Sequence, residues 1–170
     1  MQKNSGKSVD LGLMLIHINE PLNNTKPCMK IKFSVESIQA YKDSFLSLQI
    51  LQDSKTCFQA FNFSAGNHEF EFESSTQTHI DFVISNKNPK KHTVVDDEKI
   101  VKDTLIRIKQ ISVDDQDLTY NINLFSNYFT KQHGIIRTNG HMTFNGTYRF
   151  KFRYPGSNHI LFCTYYKSKN

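Results

Sequence analysis

Over most of its length the chain alternates apolar and polar residues with a period of two, the beat of half-buried β-strands. The beat is clearest over residues 29–51. Met29, Ile31, Phe33 and Val35 alternate with Lys30, Lys32, Ser34 and Glu36, which predicts a strand with one face in a core. Residues 37–42 read as an irregular loop. From Asp43 onward Leu46, Leu48 and Ile50 point one way, and Phe45, Ser47 and Gln49 the other. Residues 57–63 and 68–73 read as a hairpin around Ser64-Ala65-Gly66-Asn67, with Phe70 and Phe72 inward. Residues 78–85 repeat the pattern with Ile80, Phe82 and Ile84.

Residues 86–98 are the longest polar interruption. Residues 99–111 then resume the beat, with Ile106 and Ile108 set across the pleat from Arg107 and Lys109. Leu118, Tyr120, Ile122 and Leu124 predict another strand, and residues 126–133 a loop bearing exposed aromatics. Residues 134–144 and 146–154 read as strands turning at Asn145-Gly146, a strong hairpin signal. A turn at Tyr154-Pro155-Gly156-Ser157-Asn158 leads to a last strand, 159–166. At the other end, residues 9–18 carry Leu11, Leu13 and Leu15 on one side and Met14, Ile16 and Ile18 on the other, as in a strand buried on both faces. The polar residues 1–8 are expected to be flexible.

About ten strands at intervals of roughly ten residues predict an antiparallel β-sandwich or barrel. No segment holds a helical period for three turns, so the crossover helices of a parallel α/β sheet are missing. Residues 9–170 are read as a single all-β domain. With 38% hydrophobic residues over 170 positions the chain can build a core, and 7 Gly and 4 Pro exclude collagen-like or low-complexity character.

The net charge of +5 favours anionic partners without choosing among nucleic acid, anionic lipid and an acidic protein face. Cys28, Cys57 and Cys163 lack a CxxC spacing, so neither a zinc finger nor a disulfide framework is indicated, and buried free thiols in a reducing, intracellular compartment are expected. The first residues do not read as a secretory signal, and no apolar run reaches the roughly 20 residues of a membrane span. Three Asn-x-Ser/Thr sites begin at Asn23, Asn62 and Asn145. Without a signal they carry no expectation of glycosylation. The seven histidines show no HxH or HExxH spacing, and no nucleophile elbow or glycine-rich phosphate loop is present. The chain is therefore expected to be no enzyme and to hold no cofactor or metal.

The rhythm of residues 29–144 resembles a C2 domain, an eight-stranded sandwich used for membrane docking and protein contact. A strand ending at Val35-Glu36-Ser37-Ile38 leads through a loop to Asp43-Ser44-Phe45-Leu46. Later, Ile80-Asp81-Phe82-Val83-Ile84 runs into Asn86-Lys87-Asn88 and then Asp97-Glu98-Lys99-Ile100-Val101. The resemblance implies a C2-like sandwich to which strand 9–18 and the C-terminal hairpin are additions. Proline is missing after Asp43, and Val101 stands where the family has glycine. Asn86 and Asn88 occupy places where calcium-binding members carry aspartates. Neutral carbonyls supply too little charge for Ca²⁺, so no calcium site is expected.

Two basic features remain. Lys87, Lys90, Lys91 and His92 crowd the 86–98 loop, where the family contacts membranes, and are balanced by Asp96, Asp97 and Glu98. No exposed apolar tip is read beside these lysines. On 146–154, Arg149, Lys151 and Arg153 share one strand face, with Tyr148, Phe150, Phe152 and Tyr154 on the other. Cations on a strand can track phosphates, though here the aromatics that might stack bases lie on the core side. The function expected is a non-catalytic interaction module, a small subunit of a larger assembly that pairs with protein partners through edge strands and the aromatic segment 160–166. The alternatives are an OB-fold-like barrel binding single-stranded nucleic acid through Arg149, Lys151 and Arg153, and a C2-type domain binding anionic membranes through Lys87, Lys90 and Lys91.

Overall fold

The computed structural model describes residues 28–153. Predicted strands 9–18 and 159–166, and Cys163, lie outside these residues. The described chain runs through β1 (Met29–Ile38), β2 (Leu46–Gln52), β3 (Lys55–Phe63), β4 (Gly66–Ser74), β5 (Thr78–Ser85), helix α1 (Pro89–His92), β6 (Thr93–Asp96), β7 (Lys99–Asp103), β8 (Leu105–Val113) and β9 (Gln116–Asp117). A 3-10 turn (Thr119–Asn121), helix α2 (Ile122–Phe125), β10 (Ser126–Thr130), β11 (Gly134–Ile136), β12 (His141–Met142) and β13 (Gly146–Phe152) follow.

The strands form an antiparallel β-sandwich rather than a barrel. One sheet has the order β12-β8-β1-β4, with β9 also on β8, and the other β11-β10-β13-β5-β2-β3. Strands β6 and β7 stand apart as a two-stranded ribbon. The alternating apolar residues of β1, β2, β5 and β13 all face the space between the sheets and are buried. Phe33 is the hub, with ring centroids 5.0 Å from Phe82, 5.1 Å from Phe150, 5.9 Å from Phe152 and 6.0 Å from Phe72. Truncating such a side chain to alanine costs about 3–5 kcal/mol.

Both expected hairpins are crossings between the sheets. Strand β3 pairs with β2, and β4 with β1, so Ser64 and Ala65 carry the chain from one sheet edge to the other. Likewise β12 pairs with β8, while β13 pairs with β10 and β5. Asn145-Gly146 therefore joins the layers. The glycine is needed for close approach, because a Cβ there would lie 2.3 Å from the Phe129 carbonyl oxygen.

The real two-residue hairpins use Asp53-Ser54, Asp97-Glu98 and Asp114-Asp115. Each has positive φ at both central residues, the condition for a type I′ turn, and aspartate is among the residues that tolerate it best without a glycine.

Three further segments differ from expectation. Residues 99–111 split into β7 and β8, and a bulge around Lys109 shifts the phase so that Ile111 and Val113 join Ile106 and Ile108 in the core. Leu118–Leu124 is no strand. Leu118, Ile122 and Phe125 are buried at helical spacing, which suits the 3-10 turn and α2. Residues 126–130 are strand β10 rather than loop, and Tyr128 is fully buried.

Candidate functional site

The loop at 86–98 is built from its first residues outward. Asn86 adopts φ 61° and its amide oxygen accepts from the Ser47 N–H at 2.8 Å. Asn88 caps α1, accepting from the Lys90 N–H at 3.0 Å, with Pro89 at the start of the turn. Both asparagine carbonyls thus serve the backbone. The buried His92 ring sits against the Asn88 backbone, with Nδ1 2.8 Å from its nitrogen and 3.1 Å from its carbonyl oxygen.

Lys87 is not a solvent-facing anion ligand. Its side chain is only 6% exposed and its ammonium donates to Asp103 Oδ1 and the Thr104 carbonyl. Burial pushes it below its ordinary pKa, outweighing the hydrogen bond and charge of Asp103, which act the other way. Asp103 Oδ1 also accepts from Thr93 Oγ1 at 2.7 Å. Lys87, Asp103 and Thr93 therefore clamp the base of the β6–β7 ribbon. An isolated two-stranded ribbon is marginal in water, so such an anchor holds it in place. Asn145 completes the clamp from the other sheet crossing, accepting the Lys87 N–H at 2.7 Å and donating to its carbonyl at 2.9 Å.

The anchored ribbon forms one wall of a groove of about 790 Å³. Val95 and Ile100, a cross-strand pair, line that wall and are 60% and 68% exposed. Val101, at the ribbon's bulge, is exposed as well. An exposed apolar feature thus accompanies the lysines, contrary to the sequence reading. The far wall holds Phe144, whose backbone is fixed by Tyr128: the phenol donates to the Phe144 carbonyl and accepts its N–H at 3.1 Å. Burial pushes the Tyr128 phenol up to about 12. Lys90 on α1 and Lys131, just after β10, flank the groove. Among the described residues neither ammonium has an ion-pair partner. Lys91 is exposed but outside the lining. The loop reading thus found Lys87 and Lys90, whereas Lys131 arrives through tertiary structure from 41 positions after Lys90.

The second basic feature is organised otherwise. Arg149 lies opposite Asp81 in the β13–β5 register and grips it with two hydrogen bonds, 2.8 and 2.7 Å. The Asp81 side chain is 6% exposed and that of Arg149 37%. The hydrogen bond to Asp81 raises the Arg149 guanidinium above its ordinary pKa. His79 joins them, with Nδ1 3.0 Å from Asp53 Oδ1 and Nε2 4.0 Å from Asp81 Oδ2. Lys151 borders a hollow of about 260 Å³ shared with Asp53, His79 and Arg149. Arg153 is exposed at the end of the row. The face alternates charge instead of presenting a cationic stripe.

Two of the open sheet edges are guarded. Strand β4 shows Glu69, Glu71 and Glu73 outward, and β3 is bulged twice against β2. Edge charge and bulges both discourage pairing with another strand. Cys28 and Cys57 are free and exposed rather than buried. The loop before β2 is closed by Ser44, whose hydroxyl accepts the Tyr41 N–H at 3.0 Å, and Asp43 takes no part in that closure. Among the described residues no cluster of three or more His, Cys, Asp or Glu is arranged for a metal ion, and no helix is long and apolar enough to cross a membrane.

No known protein family and no curated protein matches the chain. Among solved structures it is similar to "vCBM60 in complex with galactobiose", at a TM-score of 0.40 and 10% identity, covering 73% of this chain and 97% of that one. Galactobiose is that protein's ligand.

Proposed function

We propose that the chain is a non-catalytic protein-interaction module, a small subunit of a larger assembly, and that it engages its partner through the groove beneath the β6–β7 ribbon. One observation carries this reading. A two-stranded ribbon that belongs to neither sheet is clamped by an enclosed ion pair so that Val95 and Ile100 stay exposed beside two lysines with no ion-pair partner among the described residues. Exposed apolar area rimmed by charge is the composition of recognition surfaces.

The anionic-membrane reading draws support from the same exposed Val95, Ile100 and Val101. The ribbon's tip weighs against it. Asp96, Asp97 and Glu98 lead the way into any bilayer, and carboxylates meet an anionic surface with repulsion. The nucleic-acid reading loses its basis in part, because Arg149 is committed to Asp81 and the strands form two sheets.

Affinity purification from the native source tests the proposal. A partner retained by the wild-type chain should be lost from Val95→Ser/Ile100→Ser and kept by Lys151→Glu. Identical recovery with all three chains would contradict it.

A further inference from the structure

We propose that the groove takes an extended, acidic peptide segment of the partner: an aliphatic side chain between the ribbon and Phe144, and a carboxylate to either side. This names the chemistry of the site proposed above and rests on that reading. Four observations lead to it. The apolar contact surfaces line one groove together, Val95 and Ile100 from the ribbon and Phe144 from the segment before β13. The Phe144 backbone is held by a buried tyrosine and its ring packs on His133 with centroids 4.5 Å apart, so this part of the slot is pre-organised, which lowers the cost of binding.

The charge of the groove lining favours acid. Lys90 and Lys131 flank the slot without partners among the described residues, and the lining carboxylate, Asp103, is already consumed by Lys87 and Thr93. A basic segment would meet two unpaired ammonium groups and find no free carboxylate in the lining. Finally, a volume of about 790 Å³ suits a few residues of extended chain, within the range of ligand clefts. Lysines on an open rim add specificity and association rate rather than most of the affinity, so the aliphatic anchor and the two charges are both needed.

The test uses the folded chain and a fluorescein-labelled synthetic peptide, Glu-Leu-Val-Leu-Glu, beside its charge-reversed twin Lys-Leu-Val-Leu-Lys. Vesicles of mixed phosphatidylserine and phosphatidylcholine form a third arm. The expected result is saturable binding of the acidic peptide alone. It should weaken about tenfold in Lys90→Glu/Lys131→Glu, with an unchanged unfolding midpoint, and similarly in Val95→Ser/Ile100→Ser. Equal binding of both peptides, no binding of the acidic one, or capture by vesicles in its place would each overturn the inference. If the native partner still depends on Val95 and Ile100 while the acidic peptide fails, the inference falls and the module reading survives. If partner recovery is also indifferent to these residues, both fall.

Discussion

Lys87 and Arg149 each meet a carboxylate from elsewhere in the chain, and what surrounds the two pairs differs. Lys87–Asp103 is enclosed, at 6% and 17% side-chain exposure, and its work is mechanical: it fixes the base of a ribbon. Arg149–Asp81 is half open, and it balances charge on a sheet face. Around the first pair lie exposed aliphatic residues and uncommitted lysines. Around the second lie His79 and Asp53, paired at 3.0 Å, although His79 Nε2 is buried with no hydrogen-bond partner among the described residues. The lesson is that cation count locates neither site. What sets the proposed groove apart is exposed aliphatic residues beside lysines that have no ion-pair partner among the described residues.

The largest expected effect separates these two pairs. Asp103→Ala strands a buried ammonium and should destabilise the chain by about 3–5 kcal/mol in urea denaturation. Asp81→Ala leaves a guanidinium that water can reach, and should cost about 1 kcal/mol. Equal costs would mean that the ribbon clamp is not what holds Lys87.

The groove's far wall can be probed with pH. The Tyr128 phenol, raised in the fold to about 12 from 10.0, stays protonated where the unfolded chain has already lost its proton. Its influence is constant below pH 10 and erodes stability as pH climbs from there to about 12, by about 2–3 kcal/mol in all. Lys87 works in the opposite sense, because its lowered value makes the fold gain stability as the unfolded chain's lysine approaches its own pKa. The quantity to measure is therefore the stability of wild type minus that of Tyr128→Phe, which should fall as pH rises from 10 to about 12. A flat difference would show that the phenol is not desolvated as described.

Gly146→Ala should cost about 2 kcal/mol, since the new methyl group meets the Phe129 backbone. A neutral result would restore the hairpin reading of Asn145-Gly146. Smallest of all, Lys90→Glu/Lys131→Glu should shift stability by no more than about 0.5 kcal/mol, because these lysines hold nothing in the fold. A large loss would make them structural and remove the contrast with Lys87.

Much of the sandwich was legible in the chain. The alternation of Met29 to Val35, Leu46 to Ile50, Ile80 to Ile84 and Tyr148 to Phe152 is the imprint of one face on a core, and all four rows are buried. Which strands pair was less legible. Asn145-Gly146 and Gly66-Asn67 suggest tight turns yet serve crossings, whereas Asn139-Gly140 does form one, and the two-residue hairpins fall on Asp-led pairs with no glycine. Buried Leu118, Ile122 and Phe125 do carry a helical spacing, but over so few residues that a two-residue beat through Tyr120 and Leu124 competes with it. Tyr128 looked exposed because its hydroxyl is polar. The Phe144 backbone that satisfies it lies on another segment. The site was half legible. Lys87 and Lys90 stood out as charge, but the role of Lys87 depends on Asp103, and nothing near Lys131 in sequence points to the groove.

The most direct measurement is a map of backbone amide chemical shifts as the acidic peptide is titrated into the isotopically labelled chain. Resonances of Lys90, Val95, Ile100, Lys131 and Phe144 should move together, while those of His79, Asp81, Arg149 and Lys151 stay still. Movement centred on the second set, with the groove residues unchanged, would contradict the assignment of the ribbon groove as the surface that meets the partner.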